Sequence, residues 1–130
     1  MATYVIDATN LIRRVYIGRR TSPAEEDELA RQFLEGIGWL LARHTGNAFR
    51  VVFDGFPRPF DVPKPDGLDT YFGNEGGADR VVLDQARYLK AAGKSVVVVT
   101  ADRELQDLAA EEGAQAILPE EFLKKFRLGR

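Results

Sequence analysis

The chain has 130 residues, 45% of them hydrophobic, and carries 18 Lys and Arg against 20 Asp and Glu, a formal net charge of −2. This length suits a single domain over residues 1–130 with its own buried core, and the slight acidic excess speaks against indiscriminate binding to polyanions. Cysteine is absent and His44 is the only histidine, which excludes disulfides, thiol nucleophiles and zinc sites built from several imidazoles, and leaves oxygen ligands suited to hard cations such as magnesium and manganese.

From Thr3 to Ile6 the sequence predicts a short buried strand, after which DATNLIRRVY turns into a helix with Leu11, Ile12 and Val15 on its apolar side. Ser22-Pro23-Ala24-Glu25 predicts a capped helix start, with serine as cap, proline at the first helical position and glutamate returning to the cap N–H. Leu29, Phe33, Ile37, Leu40 and Leu41 follow at helical spacing, Trp39 is expected to pack, and the pattern stops near Thr45-Gly46. Phe49 to Phe53 is a second strand, followed by a loop with Pro57, Pro59, Pro63 and Pro65, and Leu68 to Phe72 is a short third strand. A glycine-rich turn over residues 73–77 precedes a helix from about Ala78 to Ala92 that stops at Gly93. Ser95 to Thr100 is the clearest strand. A helix then runs from Arg103 to Glu112, a strand from Ala114 to Leu118, and Pro119 opens a last helix. This alternation predicts an α/β protein, three layers with a mainly parallel central sheet between helices. The amino terminus is too polar for a secretion signal and no apolar run reaches membrane length, so a cytoplasmic location away from membranes is expected.

Asp7, Asp54 and Asp102 each close a predicted strand, and Asp79 opens a predicted helix. In an open parallel sheet these points all face one edge, where ligands gather. Each aspartate alone reads equally well as a turn former or helix cap. Four at one edge would repel one another unless a divalent cation joined them, which points to a metal site before any reaction is named.

The blocks YVIDATNLI, VVFDGF, FGNEGGADRVV and VVVVTADREL, spread from Tyr4 to about Leu105, resemble in order and spacing those of YacP-type NYN-domain proteins of the PIN-like ribonuclease superfamily. The resemblance implies a PIN-like α/β/α fold and a metal-dependent ribonuclease. It implies that Asp7, Asp54, Asp79 and Asp102 hold Mg²⁺ or Mn²⁺, that Asn10 and Thr100 support them by hydrogen bonding, and that RNA phosphodiester bonds are hydrolysed. The implied partner is RNA (single-stranded mRNA, tRNA or rRNA, with the ribosome as a possible setting), and no oligomer is required. The chain departs from the family pattern at Leu83, where relatives carry a further acid one turn into the helix; Asp84 follows one residue later and points elsewhere. That departure keeps open an RNA-binding or ribosome-associated module with weak or lost catalysis.

RNA approaching an acidic pocket needs basic residues at the rim. Arg13, Arg14, Arg58, Arg80 and Arg103 are the candidate RNA contacts, with Arg103 favoured by its place beside Asp102, and Lys64 lies in the proline loop. An early cluster also includes Arg19 and Arg20. Phe56 and Phe60 are candidates for stacking on unpaired bases, whereas Tyr71 and Phe72 suit the core. The basic tail, Lys124, Lys125, Arg127 and Arg130, fits a helix C-terminus better than an RNA contact. A phosphoacceptor receiver domain would want a second acid after Asp7, where Ala8 stands, and a lysine at the end of the last strand, which is missing. A haloacid-dehalogenase-type hydrolase would want a second aspartate two residues after Asp7, where Thr9 stands.

Overall fold

The computed structural model describes residues 1–15, 22–43 and 46–128. Arg19, Arg20, His44, Thr45 and Arg130 lie outside the described residues. The elements are β1 (Thr3–Asp7), α1 (Ala8–Val15), α2 (Pro23–Arg43), β2 (Ala48–Phe53), β3 (Leu68–Phe72), α3 (Ala78–Ala91), β4 (Val96–Val99), α4 (Arg103–Glu111), β5 (Gln115–Ile117) and α5 (Pro119–Phe126).

The strands form one parallel sheet in the order β3-β2-β1-β4-β5. β1 therefore sits at the centre, flanked by β2 and β4, and this is the point where the connections change direction across the sheet. Both faces are covered, so the central strands carry continuous apolar runs; Val96, Val97, Val98 and Val99 are all buried. On one face Tyr4, Ile6, Phe49, Val51 and Phe53 pack against Leu11 and Ile12 of α1, Leu34 and Ile37 of α2, and Phe122 of α5. On the other, Val5, Val52 and Val98 pack against Ala78, Val82, Ala86 and Leu89 of α3, with Leu105 and Ala109 of α4. The result is the three-layer α/β/α arrangement.

Side chains alternate along a strand, so Asp7 shares its side of β1 with Val5, the side covered by α3. That alternation is what directs a buried carboxylate toward the start of α3.

Local chemistry accounts for the element starts. Ser22 Oγ accepts from the Glu25 N–H at 3.2 Å while the Ser22 N–H donates to Glu25 Oε1 at 3.1 Å, the reciprocal cap expected of the sequence. Asp102 caps α4 by accepting from the Leu105 N–H at 3.0 Å. The proline loop contains no helix or strand, as expected, yet its start is fixed. Gly55 and Asn74 form an antiparallel bridge, and Gly73 donates to the Phe53 carbonyl at 2.9 Å. The glycine-rich turn leading to α3 is equally tight, because a Cβ on Gly73 would fall 2.4 Å from the Gly77 carbonyl carbon and 2.5 Å from the Ala78 nitrogen. Only glycine lets the two segments approach so closely.

Candidate metal-binding and RNA-cleaving cleft

At the C-terminal edge of the sheet, beside the β1–β4 junction, a cleft is lined by Asp7, Asn10, Arg13, Arg14, Asp54, Asp79, Ala101 and Asp102. The location is the one expected for ligands of an open parallel sheet, outside the strand ends where the topology switches. Asp7 forms the floor at 4% exposure, and Asp54 stands at the side with its side chain 47% exposed. Asp79 comes from the first turn of α3 and Asp102 from the cap of α4.

The cleft residues are tied together by hydrogen bonds that pass from one strand end to the next. The fully buried Thr100 hydroxyl donates to Asp7 Oδ2 at 3.0 Å and accepts from the Asp102 N–H at 3.1 Å. Asn10 Oδ1 accepts from the Ala101 N–H at 3.1 Å. The buried Thr9 hydroxyl accepts from the Asp54 N–H at 2.9 Å. The single turn DATN therefore fixes the loop after β2 through Thr9 and the turn after β4 through Asn10. Thr9 has no chemical signature in sequence; a threonine on the first turn of a helix reads as filler, and only the sheet order shows that β2 ends beside it.

Burial pushes the Asp7 carboxyl up to about 7, and the charges of Asp79, Asp54 and Asp102 push in the same direction against the lowering effect of the Thr100 hydroxyl. Partial burial also raises Asp79, reinforced by Asp102, Asp54 and Glu104. Glu104, on the first turn of α4, thus contributes to the acidic field, although the sequence offered only its neighbour Arg103. The charges of Asp54 and Asp102 thus act on both Asp7 and Asp79.

Arg13 spans the rim. It makes two hydrogen bonds to Glu26 at 3.0 and 3.1 Å and lies 3.7 Å from Asp54 Oδ2. Arg14 also lines the cleft and pairs with Glu120 on α5 at 2.7 Å. Arg80 and Arg103 are exposed but are not among the lining residues. Arg58 is half-buried and engaged by the protein itself, donating to Asp27 at 3.0 Å and to the Asp54 and Phe56 carbonyls at 3.0 and 3.2 Å. Lys64 points to Thr70 Oγ1 at 3.4 Å.

Two aromatic expectations need correction. Phe60 is not free for stacking on a base, because it packs against Phe53 and Phe72 with ring centroids 4.8 and 6.2 Å away. Trp39 is not packed; it is 62% exposed, with the Arg43 guanidinium 5.0 Å from its ring. Helical spacing alone misplaced it because the buried stripe of α2 runs through Ala30, Leu34, Ile37 and Leu40 and leaves position 39 outside. Phe56 is 60% exposed. Leu83 packs against the core beneath α3, and Asp84 lies 3.8 Å from Arg87, so neither lines the cleft. Lys124 and Lys125 fall in the last turn of α5, where positive charge suits the helix end.

Among the described residues no helix is long and apolar enough to cross a membrane. No curated protein matches the chain by sequence. Among solved structures it is similar to Rae1 (YacP) from Bacillus subtilis as a W164L mutant, with TM-score 0.77, 20% identity, and coverage of 98% of this chain and 76% of that one. A second crystal structure of the same Bacillus subtilis protein gives TM-score 0.74, 20% identity, and coverage of 98% and 74%. The family model for the YacP-like NYN domain matches residues 4–129. With nearly the whole sequence matched and the acidic cleft at the sheet edge, the chain belongs to the YacP-like NYN domain family, a nuclease-type family of PIN-like, RNA-related proteins that generally use divalent cations.

Proposed function

We propose that the protein is a metal-dependent ribonuclease that hydrolyses phosphodiester bonds of single-stranded RNA endonucleolytically, with Mg²⁺ or Mn²⁺ as cofactor. The observation that carries this reading is the gathering of Asp7, Asp54, Asp79 and Asp102 around one cleft, where Asp7 is pushed up to about 7 by burial and by the other three acids. Carboxylates so placed oppose one another's ionisation, and a divalent cation removes the conflict. Every candidate donor is an oxygen, which fits a hard cation. Among the described residues no group of three or more acidic or histidine side chains stands at metal-ligand spacing, so the carboxylates would have to close on an ion as it binds. When bound, the cation would be held by these aspartates and would supply charge neutralisation at the phosphate and easier ionisation of water.

The chain's own groups arrange the rest. Thr100 orients Asp7, and Asn10 and Thr9 fix the turns that carry Asp102 and Asp54. Arg13 and Arg14 place positive charge on the rim of a negative cleft, where a phosphate can replace their carboxylate partners. An mRNA, tRNA or rRNA strand, free or on the ribosome in the cytoplasm, is the substrate class this chemistry suits.

The test is Asp102→Asn. Asparagine preserves the helix cap at this position, so the variant stays folded while Mn²⁺-dependent cleavage of single-stranded RNA is abolished; undiminished cleavage would remove the mechanism. Leu83 in the core rather than an acid in the cleft favours a second reading, an RNA-binding module with weak or lost catalysis. RNA binding without turnover in magnesium, manganese and cobalt would select it.

A further inference from the structure

Phe56 lies two residues beyond Asp54 and leaves 60% of its surface in solvent. Among the described residues it stacks on no other ring, whereas Phe53, Phe60 and Phe72 from the same region pack together. Exposure of a large apolar ring is ordinary when the segment carrying it is slack. This segment is braced. The Arg58 guanidinium holds the Asp54 and Phe56 carbonyls at 3.0 and 3.2 Å, is anchored by Asp27 at 3.0 Å, and sits 5.4 and 5.5 Å from the Phe60 and Phe72 rings. Gly55, with φ of 84°, is bridged to Asn74 across the cleft-side loops. The fold thus fixes the backbone on either side of the ring and, among the described residues, sets no other aromatic ring against it.

We infer that Phe56 is a base-stacking platform beside the scissile phosphate, that its partner is an unpaired nucleobase of RNA, and that Arg58 is the positioning residue that presents it. The inference rests on the ribonuclease reading and extends it to substrate selection. Two observations and one principle favour a nucleobase. Phe56 is two residues from a cleft acid, Arg13 on the cleft rim lies 3.7 Å from that same acid, and an aromatic face accepts any base. Bases in a duplex are already stacked on both faces, so such a platform selects single strands or an extruded base. Arg58, with its donors committed to Asp27 and two carbonyls, acts through the loop.

Binding of a fluorescently labelled, unstructured oligoribonucleotide, measured by anisotropy in magnesium and in an Asp102→Asn background, tests the assignment. Phe56→Ala is expected to weaken single-strand binding about tenfold or more, the scale of one lost base–aromatic stack, with duplex RNA binding unchanged. Phe56→Trp should restore affinity, and its emission should be quenched on addition of the oligonucleotide. Arg58→Ala should weaken single-strand binding while leaving the dependence on salt concentration as steep as in the parent, because no phosphate contact is lost. Equal affinity in Phe56→Ala and parent would overturn the inference, as would equal loss on single and double strands. A flatter salt dependence in Arg58→Ala would make that residue a phosphate contact and remove its role as brace. Phe56→Ala changes only a solvent-facing ring, so the test stands even if Arg58→Ala does not fold. A cleavage failure of Asp102→Asn to behave as expected would count against the chemistry alone, since these binding comparisons do not depend on turnover.

Discussion

Asp7→Asn is expected to stabilise the metal-free protein at neutral and alkaline pH. The folded state holds the Asp7 carboxyl at about 7 against an ordinary value of 3.8, chiefly because the group is buried and secondarily because Asp79, Asp54 and Asp102 surround it. A folded pKa above the unfolded one means that folding favours the protonated acid. Asp7 therefore imposes no such penalty below about pH 4, destabilises progressively as pH rises toward 7, and exerts its full effect above that. The rise from 3.8 to about 7 corresponds to a ceiling of about 4 kcal/mol, and relaxation around a charged group reduces this to about 2–4 kcal/mol. Asparagine keeps an oxygen to accept from the Thr100 hydroxyl, which lies 3.0 Å from Asp7 Oδ2, and carries no charge. Thermal melts in EDTA from pH 4 to pH 8 provide the assay. The midpoints of parent and variant should coincide near pH 4 and separate by on the order of 10 °C at pH 8. Parallel curves across that range, or a variant that melts lower at pH 8, would show that Asp7 is not held in conflict with its neighbours. Manganese should reverse the order, raising the parent's midpoint by binding the folded state while leaving the variant nearly unmoved.

Thr100→Val removes the donor to Asp7 and the acceptor of the Asp102 N–H; it should cost about 1–2 kcal/mol in denaturant melts and raise the Asp7 titration further, read from its carboxyl carbon chemical shift against pH. Gly73→Ala forces a methyl to within 2.4 Å of the Gly77 backbone and should cost about 1–3 kcal/mol while displacing Asp79, so that cleavage falls by more than the loss of folded protein explains. Gly38→Ala, where nothing lies within 4 Å of the new methyl on α2, should instead raise stability by about 0.5–1 kcal/mol with cleavage unchanged. Phe122→Ala empties a position in contact with Tyr4, Phe33, Phe49 and Phe126, and calorimetry should show a loss of about 3–5 kcal/mol.

The elements were legible because their signals are local. The Ser22-Pro23 cap, the valine run of β4 and Gly93 and Gly113 after their helices each encode a start, a strand or a stop within a few residues. The four aspartates were legible for a different reason: a parallel sheet brings all strand ends to one edge, so position along the chain predicts proximity in space. What was not legible depends on the order of strands and the roll of helices. Thr9 matters because β2 ends beside β1, Glu104 because the first turn of α4 faces the start of α3, and Trp39 is exposed because the buried stripe of α2 passes it by. Arg58 reads as a loop cation free for phosphate, and its rings and carbonyl partners appear only once the loop has closed on Phe60 and Phe72.

Asp102 shows why the modest and the functional readings of these acids do not compete. It caps α4 by accepting from the Leu105 N–H, as any aspartate before a helix can, and it also lines the cleft and raises Asp7. Capping needs only part of the carboxylate's acceptor capacity, and an ionised carboxylate offers about four acceptor positions. The remainder is free to face a cation. The helix-capping interaction holds the side chain in one orientation before any ligand arrives, and Thr100 does the same for Asp7. Local stability rules thus supply the orientation, and the sheet supplies the convergence. The charge conflict that results is what a bound cation would relieve, and the melting behaviour of Asp7→Asn with and without manganese measures it directly.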